Sequence, residues 1–188
     1  MNILYYAQMM WGCMLLFWLI SSFMVKRSVK TEGIANRIFY LFFFVLAGYL
    51  AFTNDIPFDF LYMKILPQQN GWKITGFILC ALGIAYAIWA RAFLGKNWSG
   101  RVTIKQNHEL ITHGPYAITR HPIYAGILAG LTGYAFIEGL VKGYLAVGII
   151  IIGMLIKIYR EEKFLHEAFG EKYKTYSLTV KRLIPFIY

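Results

Sequence analysis

The sequence has few charged residues. Asp, Glu, Lys and Arg make up only 15% of its 188 residues, whereas a soluble domain needs about 25% to cover its surface. Hydrophobic residues account for 59% and aromatic residues for 18%, and the mean hydropathy is +0.53. This balance excludes an ordinary soluble domain and indicates that lipid is the main solvent of the chain.

Cysteine and the common catalytic motifs are also scarce. The two cysteines, Cys13 and Cys80, both fall inside hydrophobic stretches, which argues against a disulfide framework and for buried thiols. Three histidines lie between positions 108 and 121, but their spacing fits no common metal pattern, so we predict no metal site. The chain has no GxSxG, no glycine-rich phosphate loop and no strand–helix alternation, which excludes a soluble-type dinucleotide fold.

Long stretches without charge predict the membrane spans. They cover residues 1–25, 38–54, 74–90, 121–137 and, more briefly, 143–156. A spanning helix needs roughly 20 mainly apolar residues, so we predict an all-α integral membrane protein with about five transmembrane helices. The first stretch has no basic region before it and no small-x-small cleavage site, so we expect a retained span rather than a signal peptide.

The net charge of +10 alternates along the chain. The loop at 26–37 is basic, the loop at 55–73 is neutral, the stretch 91–120 is basic, the turn near 138–142 is neutral and the tail is basic again. The positive-inside rule then places the N-terminus outside and the C-terminus in the cytoplasm. The charge is therefore topological, with attraction to anionic lipid as a further role, and it is not the footprint of a nucleic-acid-binding protein.

The chain reads as a single membrane domain in two parts. Residues 1–93 hold helices one to three, of which the first two form an apparent hairpin. Residues 94–188 hold a polar loop, a helical hairpin and a C-terminal cytoplasmic helix. Pro122 is placed to begin the fourth span, and Gly170 to end the last long helix after Phe169. A short extended piece is expected at 102–104.

Two clusters are candidates for chemistry. The first is the run GPYAITRHPIY at 114–124, where an Arg-His pair at a helix start can hold an anion and the tyrosines offer faces to a cation. The second is Lys157, Arg160, Glu161 and Glu162, because adjacent carboxylates below a span are costly unless solvated, paired or used. Interface anchoring for the first cluster and a solvated helix end for the second remain the alternatives.

Together these clusters resemble the isoprenylcysteine carboxyl methyltransferase family. The resemblance rests on His108-Glu-Leu110, Gly114-Pro-Tyr116, Arg120-His-Pro-x-Tyr124 and Gly126, then Glu161-Glu162-x-x-Leu165, Phe169-Gly170, Tyr173, Tyr176 and Leu183-Ile-Pro-Phe. It covers roughly residue 94 to the C-terminus, about half of the chain. The short chain suggests a prokaryotic member, in which case the membrane would be the cell (inner) membrane.

The resemblance implies methyl transfer from S-adenosylmethionine, leaving S-adenosylhomocysteine, in a cytoplasmic pocket without a Rossmann fold. By position, the cofactor-binding residues would be His108, Glu109, Leu110, Ile111, Gly114, Tyr116, His121, Pro122, Ile123, Tyr124 and Glu161. The catalytic residues would be Lys157, Glu162 and Arg120. The acceptor would be lipophilic, such as the α-carboxylate of an isoprenylcysteine-like compound, with membrane lipid as the surroundings and no nucleic acid as a partner.

One position departs from the family pattern. Members that act on a prenylcysteine carboxylate carry an arginine four residues before the first glutamate, and here that residue is Lys157. Lysine lacks the bidentate fork of arginine, and Arg160 lies about 60° away on a helical wheel. The acceptor therefore stays open, with a phospholipid amine or a small thiol as alternatives. An NADPH-dependent reductase of the steroid-reductase kind and a non-catalytic membrane protein are the other readings.

Overall fold

The computed structural model describes residues 2–67, 69–106, 109–185 and 187–188, and it is mainly helical. Its helices are α1 (Ile3–Ser22), α2 (Ile34–Phe52), α3 (Asn70–Leu94), α4 (Pro122–Glu138), α5 (Val141–Phe169) and α6 (Glu171–Thr179). Two short strands, β1 (Ser28–Thr31) and β2 (Thr103–Lys105), pair antiparallel. The predicted helical membrane architecture is confirmed, with the small β1–β2 sheet as an addition to it, and the extended piece expected at 102–104 overlaps β2.

Within the described residues, four helices are long and apolar enough to cross a membrane, namely α1, α2, α3 with the turn that continues it to Asn97, and α5. The fourth of the five predicted spans, α4, has 17 residues and is about 25 Å long. Its length is set at both ends. Pro122 occupies the first helical turn, and Gly139, at φ 66°, takes the left-handed conformation that ends the helix.

Helices α3 and α4 approach each other closely, and glycines permit it. A Cβ atom on Gly83 would lie 2.4 Å from the backbone nitrogen of Gly130, and one on Gly133 would lie 2.4 Å from that of Cys80. The two backbones are therefore in direct contact, as small residues allow in membrane helices. Because α4 begins directly after the Arg-His pair, this contact fixes the position of the predicted site.

The first two helices do not form the expected hairpin. Helix α1 packs on α3 and α4, whereas α2 packs chiefly on α5. The rings of Trp11 and Phe52 meet at 5.8 Å, but close helix-to-helix packing is absent between α1 and α2 in the described residues. The reason is that β1 follows α1 and pairs with β2, which follows α3, so the chain is led across the bundle before α2 begins.

The two ends of the bundle differ. At the sheet end, where β1 and β2 lie, the polar loop after α3 meets the C-terminal segment. At the opposite end, the turn between α4 and α5 holds a buried ion pair, with Lys142 Nζ 2.9 Å from Glu138 Oε1. Lys142 also donates to the carbonyl oxygen of Thr53 at 3.1 Å. The neutral turn of the sequence thus ties the end of α2 to the α4–α5 hairpin.

Candidate functional site

A cavity opens at the sheet end between the loop after α3, the start of α4 and the second half of α5. Its volume is about 380 Å³, within the range of roughly 300–1,000 Å³ that is typical of small-molecule sites. Its wall combines residues from the loop (Asn97–Ile104, Glu109, Leu110, Ile111), from the α4 start (Tyr116, Arg120–Tyr124, Ile127), from α5 and α6 (Lys157, Glu161, Phe164, Leu165, Tyr173, Tyr176) and from the bundle (Trp18, Phe44, Leu94).

The carboxylate of Glu161 forms the acidic part of this wall. The hydroxyl of Tyr124 donates to Glu161 Oε1 at 2.7 Å, and His121 Nδ1 lies 3.5 Å from Glu161 Oε2. The rings of His121 and Tyr124 stack at 5.7 Å between centroids. Helix α4 therefore presents two side chains that hold one carboxylate of α5, so that the two predicted clusters form a single site.

The neighbouring carboxylate, Glu162, faces the C-terminal segment. Its Oε1 atom is 2.9 Å from Arg120 Nη2, and its Oε2 atom is 2.8 Å from Arg182 Nη2. Arg120 also donates from Nη1 to the carbonyl oxygens of Ser177 (2.8 Å) and Val180 (2.6 Å). Glu162 is thus the centre of a buried network that fastens the tail to the start of α4.

His121 lies between the two carboxylates. Its Nε2 is 3.3 Å from Glu162 Oε1, and its side chain is buried. Burial alone would lower the pKa of this imidazole, but hydrogen bonding and charge attraction from Glu161 and Glu162 outweigh burial and raise the pKa above its usual value. The two carboxylates therefore attract the imidazole more strongly in its protonated form than in its neutral form.

Lys157 is one helical turn from Glu161 and lies deeper in the bundle. Its ammonium is 5.3 Å from the ring centroid of Tyr40, 5.9 Å from that of Phe44 and 5.4 Å from that of Tyr124. It donates to the carbonyl oxygen of Gly100 at 3.2 Å and is 3.9 Å from Glu161 Oε1. Three aromatic faces and one carboxylate can stabilise a cation at this depth. The approach of Lys157 to Glu161 confirms that the two residues share one face of α5.

Two anchors, the buried Arg91 and the half-buried Glu32, position the loop that covers the cavity. Arg91 lies over the ring of Trp98 at 4.2 Å and donates to the carbonyl oxygens of Ser21 (2.7 Å) and Gly95 (3.1 Å). On the other side, the Glu32 carboxylate accepts from the backbone nitrogen of Val102 at 3.0 Å and from the hydroxyl of Tyr40. The loop is therefore fixed from both flanks, because each anchor joins it to a membrane helix.

Most of the predicted site residues meet in this cavity. Those that line it are Glu109, Leu110, Ile111, Tyr116, Arg120, His121, Pro122, Ile123, Tyr124, Lys157 and Glu161. Two lie elsewhere: Glu162 belongs to the tail network, and Gly114, at φ +61°, makes a turn against the ring of Phe93. His108 lies outside the described residues.

Sequence reasoning missed the apolar part of the wall and both anchors. Trp18 and Phe44 extend the cavity between the helices, yet aromatic residues are so common in these spans that they give no signal. Arg91 and Glu32 gave little signal either, since a basic residue at the end of a span is common and one acid in a basic loop does not show which residue it contacts.

Comparison with known proteins gives a consistent set of similarities. A family model described as "Phospholipid methyltransferase" matches residues 72–172, more than half of the chain. The rice protein named "Probable protein-S-isoprenylcysteine O-methyltransferase" (Oryza sativa subsp. indica) is 30% identical over 149 residues, covering 77% of this chain and 76% of its own length. The "Cobalt-zinc-cadmium resistance protein CzcN" of Cupriavidus metallidurans is 36% identical over 92 residues, covering 48% of this chain and 40% of its own.

A solved structure shares the fold. It is that of the eukaryotic intramembrane Ras methyltransferase ICMT (isoprenylcysteine carboxyl methyltransferase), with a TM-score of 0.55 and 24% sequence identity. The similarity covers 85% of this chain and 55% of that longer one. The helical arrangement described above is therefore one already known in a membrane protein.

Proposed function

Because the chain belongs to the isoprenylcysteine carboxyl methyltransferase family and is a membrane methyltransferase, we propose that it transfers a methyl group from S-adenosylmethionine to a lipophilic acceptor in the cavity at the sheet end. The family is the one that the linked motifs resemble, so that prediction is confirmed. The observation that carries the proposal is the convergence of Glu161, Tyr124 and the loop backbone on one cavity of about 380 Å³.

The residues of the cavity fit this cofactor. A carboxylate such as that of Glu161 can accept hydrogen bonds from an amino or hydroxyl group of the donor. The faces of Tyr116 and Tyr124, both in the wall, can stabilise a cationic sulfonium. Leu110 and Ile111 supply backbone groups and apolar surface next to them. Acidic, aromatic and apolar groups thus occur together, as a charged and partly apolar cofactor requires.

The bound cofactor would supply an activated methyl group, and the protein would align the acceptor with that group and exclude water from both. Trp98 and Val102 close the cavity from the loop side, so a bound acceptor would be shielded from water. Methyl transfer to an anion cancels charge in the transition state, and such a reaction gains from desolvation and alignment. The anchors at Arg91 and Glu32 hold the covering loop in place for this purpose.

The acceptor would be lipophilic because the deep part of the cavity is apolar. Trp18, Phe44 and Ile127 form that part of the wall. Lys157 lies beside it and makes one hydrogen bond to the described residues, although an ammonium has three donors. We therefore propose that Lys157 holds an acceptor carboxylate, such as that of an isoprenylcysteine-like compound. We also propose that the sheet end faces the cytoplasm, because its loops are basic.

The decisive experiment is calorimetric titration of the detergent-purified protein with S-adenosylhomocysteine and, separately, with NADPH. We expect binding of the first and none of the second. Failure to bind S-adenosylhomocysteine would contradict the proposal, and tight NADPH binding would favour the reductase alternative.

Glu161→Gln tests the site within the same assay. The amide oxygen can still accept from Tyr124, so the fold is preserved while the charge is lost. A hydrogen bond to a charged group contributes about 1.5–3 kcal/mol, so the affinity for S-adenosylhomocysteine should fall roughly 10- to 150-fold. The matched control is Glu171→Gln, which removes an exposed carboxylate outside the cavity wall and should leave the affinity unchanged. An unchanged affinity in Glu161→Gln would show that this carboxylate does not bind the cofactor.

A further inference from the structure

A second cavity lies beside the first, between the start of α2 and the last turns of α5. Its volume is about 720 Å³, and Phe164 is the one residue among the described parts of the chain that lines both cavities. Its wall is formed by Lys30–Gly33, Asn36, Leu155, Ile156, Tyr159, Arg160, Lys163, Phe164 and Glu167. We call it the α2–α5 groove. Arg160 lines this groove and does not line the cavity that holds Lys157.

The groove carries more basic than acidic side chains. The acid Glu167 is paired with Lys30 at 2.6 Å, and the Glu32 carboxylate turns inward to Tyr40 and Val102. Arg160 and Lys163 make no salt bridge within 4 Å to another residue that the structure describes, although Lys163 also attracts the Glu167 carboxylate one turn away. Both basic side chains can therefore still contact an external anion. Gly33, the N-cap of α2, also lines the groove, and no side chain caps this helix.

The α5 side of the groove is apolar toward the membrane. On α5, Tyr159 is 72% exposed and Leu155, one turn deeper, is also exposed, and both line the groove. The two residues are spaced by four, so they form a ridge along the helix. In a membrane this ridge would contact acyl chains, while the basic groups below it would lie at the level of the headgroups.

We propose that the α2–α5 groove binds an anionic phospholipid, with Arg160 and Lys163 contacting the phosphate-bearing headgroup and the ridge of Leu155 and Tyr159 contacting its chains. The order of groups matches such a lipid, with basic side chains at the helix ends and apolar surface toward the bilayer interior. Basic clusters at the end of a membrane helix attract anionic headgroups. Lipid binding here does not depend on methyl transfer, so it stands even where S-adenosylhomocysteine fails to bind.

The test compares lipids retained by the full chain. The protein is reconstituted in bilayers of equimolar phosphatidylglycerol and phosphatidylcholine, and the retained lipids are counted by native mass spectrometry. The wild-type protein should retain phosphatidylglycerol preferentially. Because each basic side chain near the membrane surface contributes about a fivefold preference, Arg160→Gln with Lys163→Gln should lower that preference about 30-fold. Lys163→Gln alone, at an exposed position, should lower it about fivefold and covers the case in which the double variant fails to fold.

The matched control removes the same charge elsewhere. Lys172 and Lys181 are exposed and lie outside the groove, so Lys172→Gln with Lys181→Gln should keep the wild-type preference. An equal loss in the control would overturn the proposal by showing that only net charge matters. Wild-type retention in both groove variants would overturn it as well. Displacement of the lipid by millimolar inorganic phosphate would assign the groove to a soluble anion instead.

Discussion

The glycine contact between α3 and α4 leads to a quantitative prediction for Gly83→Ala. A Cβ atom there would lie 2.4 Å from Gly130 N and 2.6 Å from Gly126 O, whereas ordinary contact begins at 3.4 Å. Both obstacles are backbone atoms and cannot rotate away. The two helices must therefore separate by about 1 Å, the difference between these distances.

The expected cost follows from known overpacking effects. Extra methyl groups in a packed interior destabilise by about 1–3 kcal/mol. A protein of this size loses roughly 2–4 °C in melting temperature for each kcal/mol, so Gly83→Ala should melt about 2–12 °C below the wild type. Since α4 carries His121 and Tyr124 at its start, the shift should also move Tyr124 from Glu161. We expect about tenfold weaker binding of S-adenosylhomocysteine, because a carboxylate moved out of place loses a charged hydrogen bond worth about 1.5 kcal/mol or more.

The matched control is Gly148→Ala on α5. A Cβ atom on Gly148 meets nothing within 4 Å, and alanine is favoured over glycine in a helix by about 1 kcal/mol. This variant should therefore melt at or slightly above the wild-type temperature. Thermal unfolding in one detergent, followed by intrinsic fluorescence, compares the three proteins. If Gly83→Ala melts together with Gly148→Ala, the direct backbone contact of α3 and α4 is not what holds the site.

Two further predictions concern charged groups of the site. Lys157→Met should keep the aromatic contacts and the affinity for S-adenosylhomocysteine. Its turnover of a prenylcysteine carboxylate should fall about 10- to 150-fold, as expected for the loss of a charged hydrogen bond, whereas Lys157→Arg should retain most of the turnover. Full turnover in Lys157→Met would indicate an uncharged acceptor. His121 has a pKa raised in the folded state, so the stability it contributes is complete below its unfolded pKa of about 6.5 and is lost as the pH rises through the raised value. The melting temperature should therefore fall as the pH rises from about 6.5, and this fall should be smaller in His121→Asn; identical pH profiles would refute the role of the imidazole.

Local signals predicted much of the fold. Pro122 lacks an N–H group, which suits a first helical turn, and α4 begins there. Gly170 adopts a positive φ, and α5 ends at the residue before it. Spacing along α5 placed Lys157 and Glu161 on one face, which is a property of a single helix. The linked motifs predicted the family for the same reason, since each motif is a short stretch whose residues are neighbours in sequence.

The sequence by itself determined that the chain is a helical membrane protein, where α4 begins and α5 ends, and which family the chain joins, because hydrophobicity, charge and capping act over a few neighbouring residues. Only the tertiary structure decided that α1 packs on α3 and α4, that Arg160 faces a different cavity from Lys157, and that Arg182 binds Glu162. Lipid tails are as apolar as the helices, so hydrophobicity does not choose among neighbours. Shape does, through glycine contacts such as that of Gly83 and through buried charges that must each find a partner across the fold.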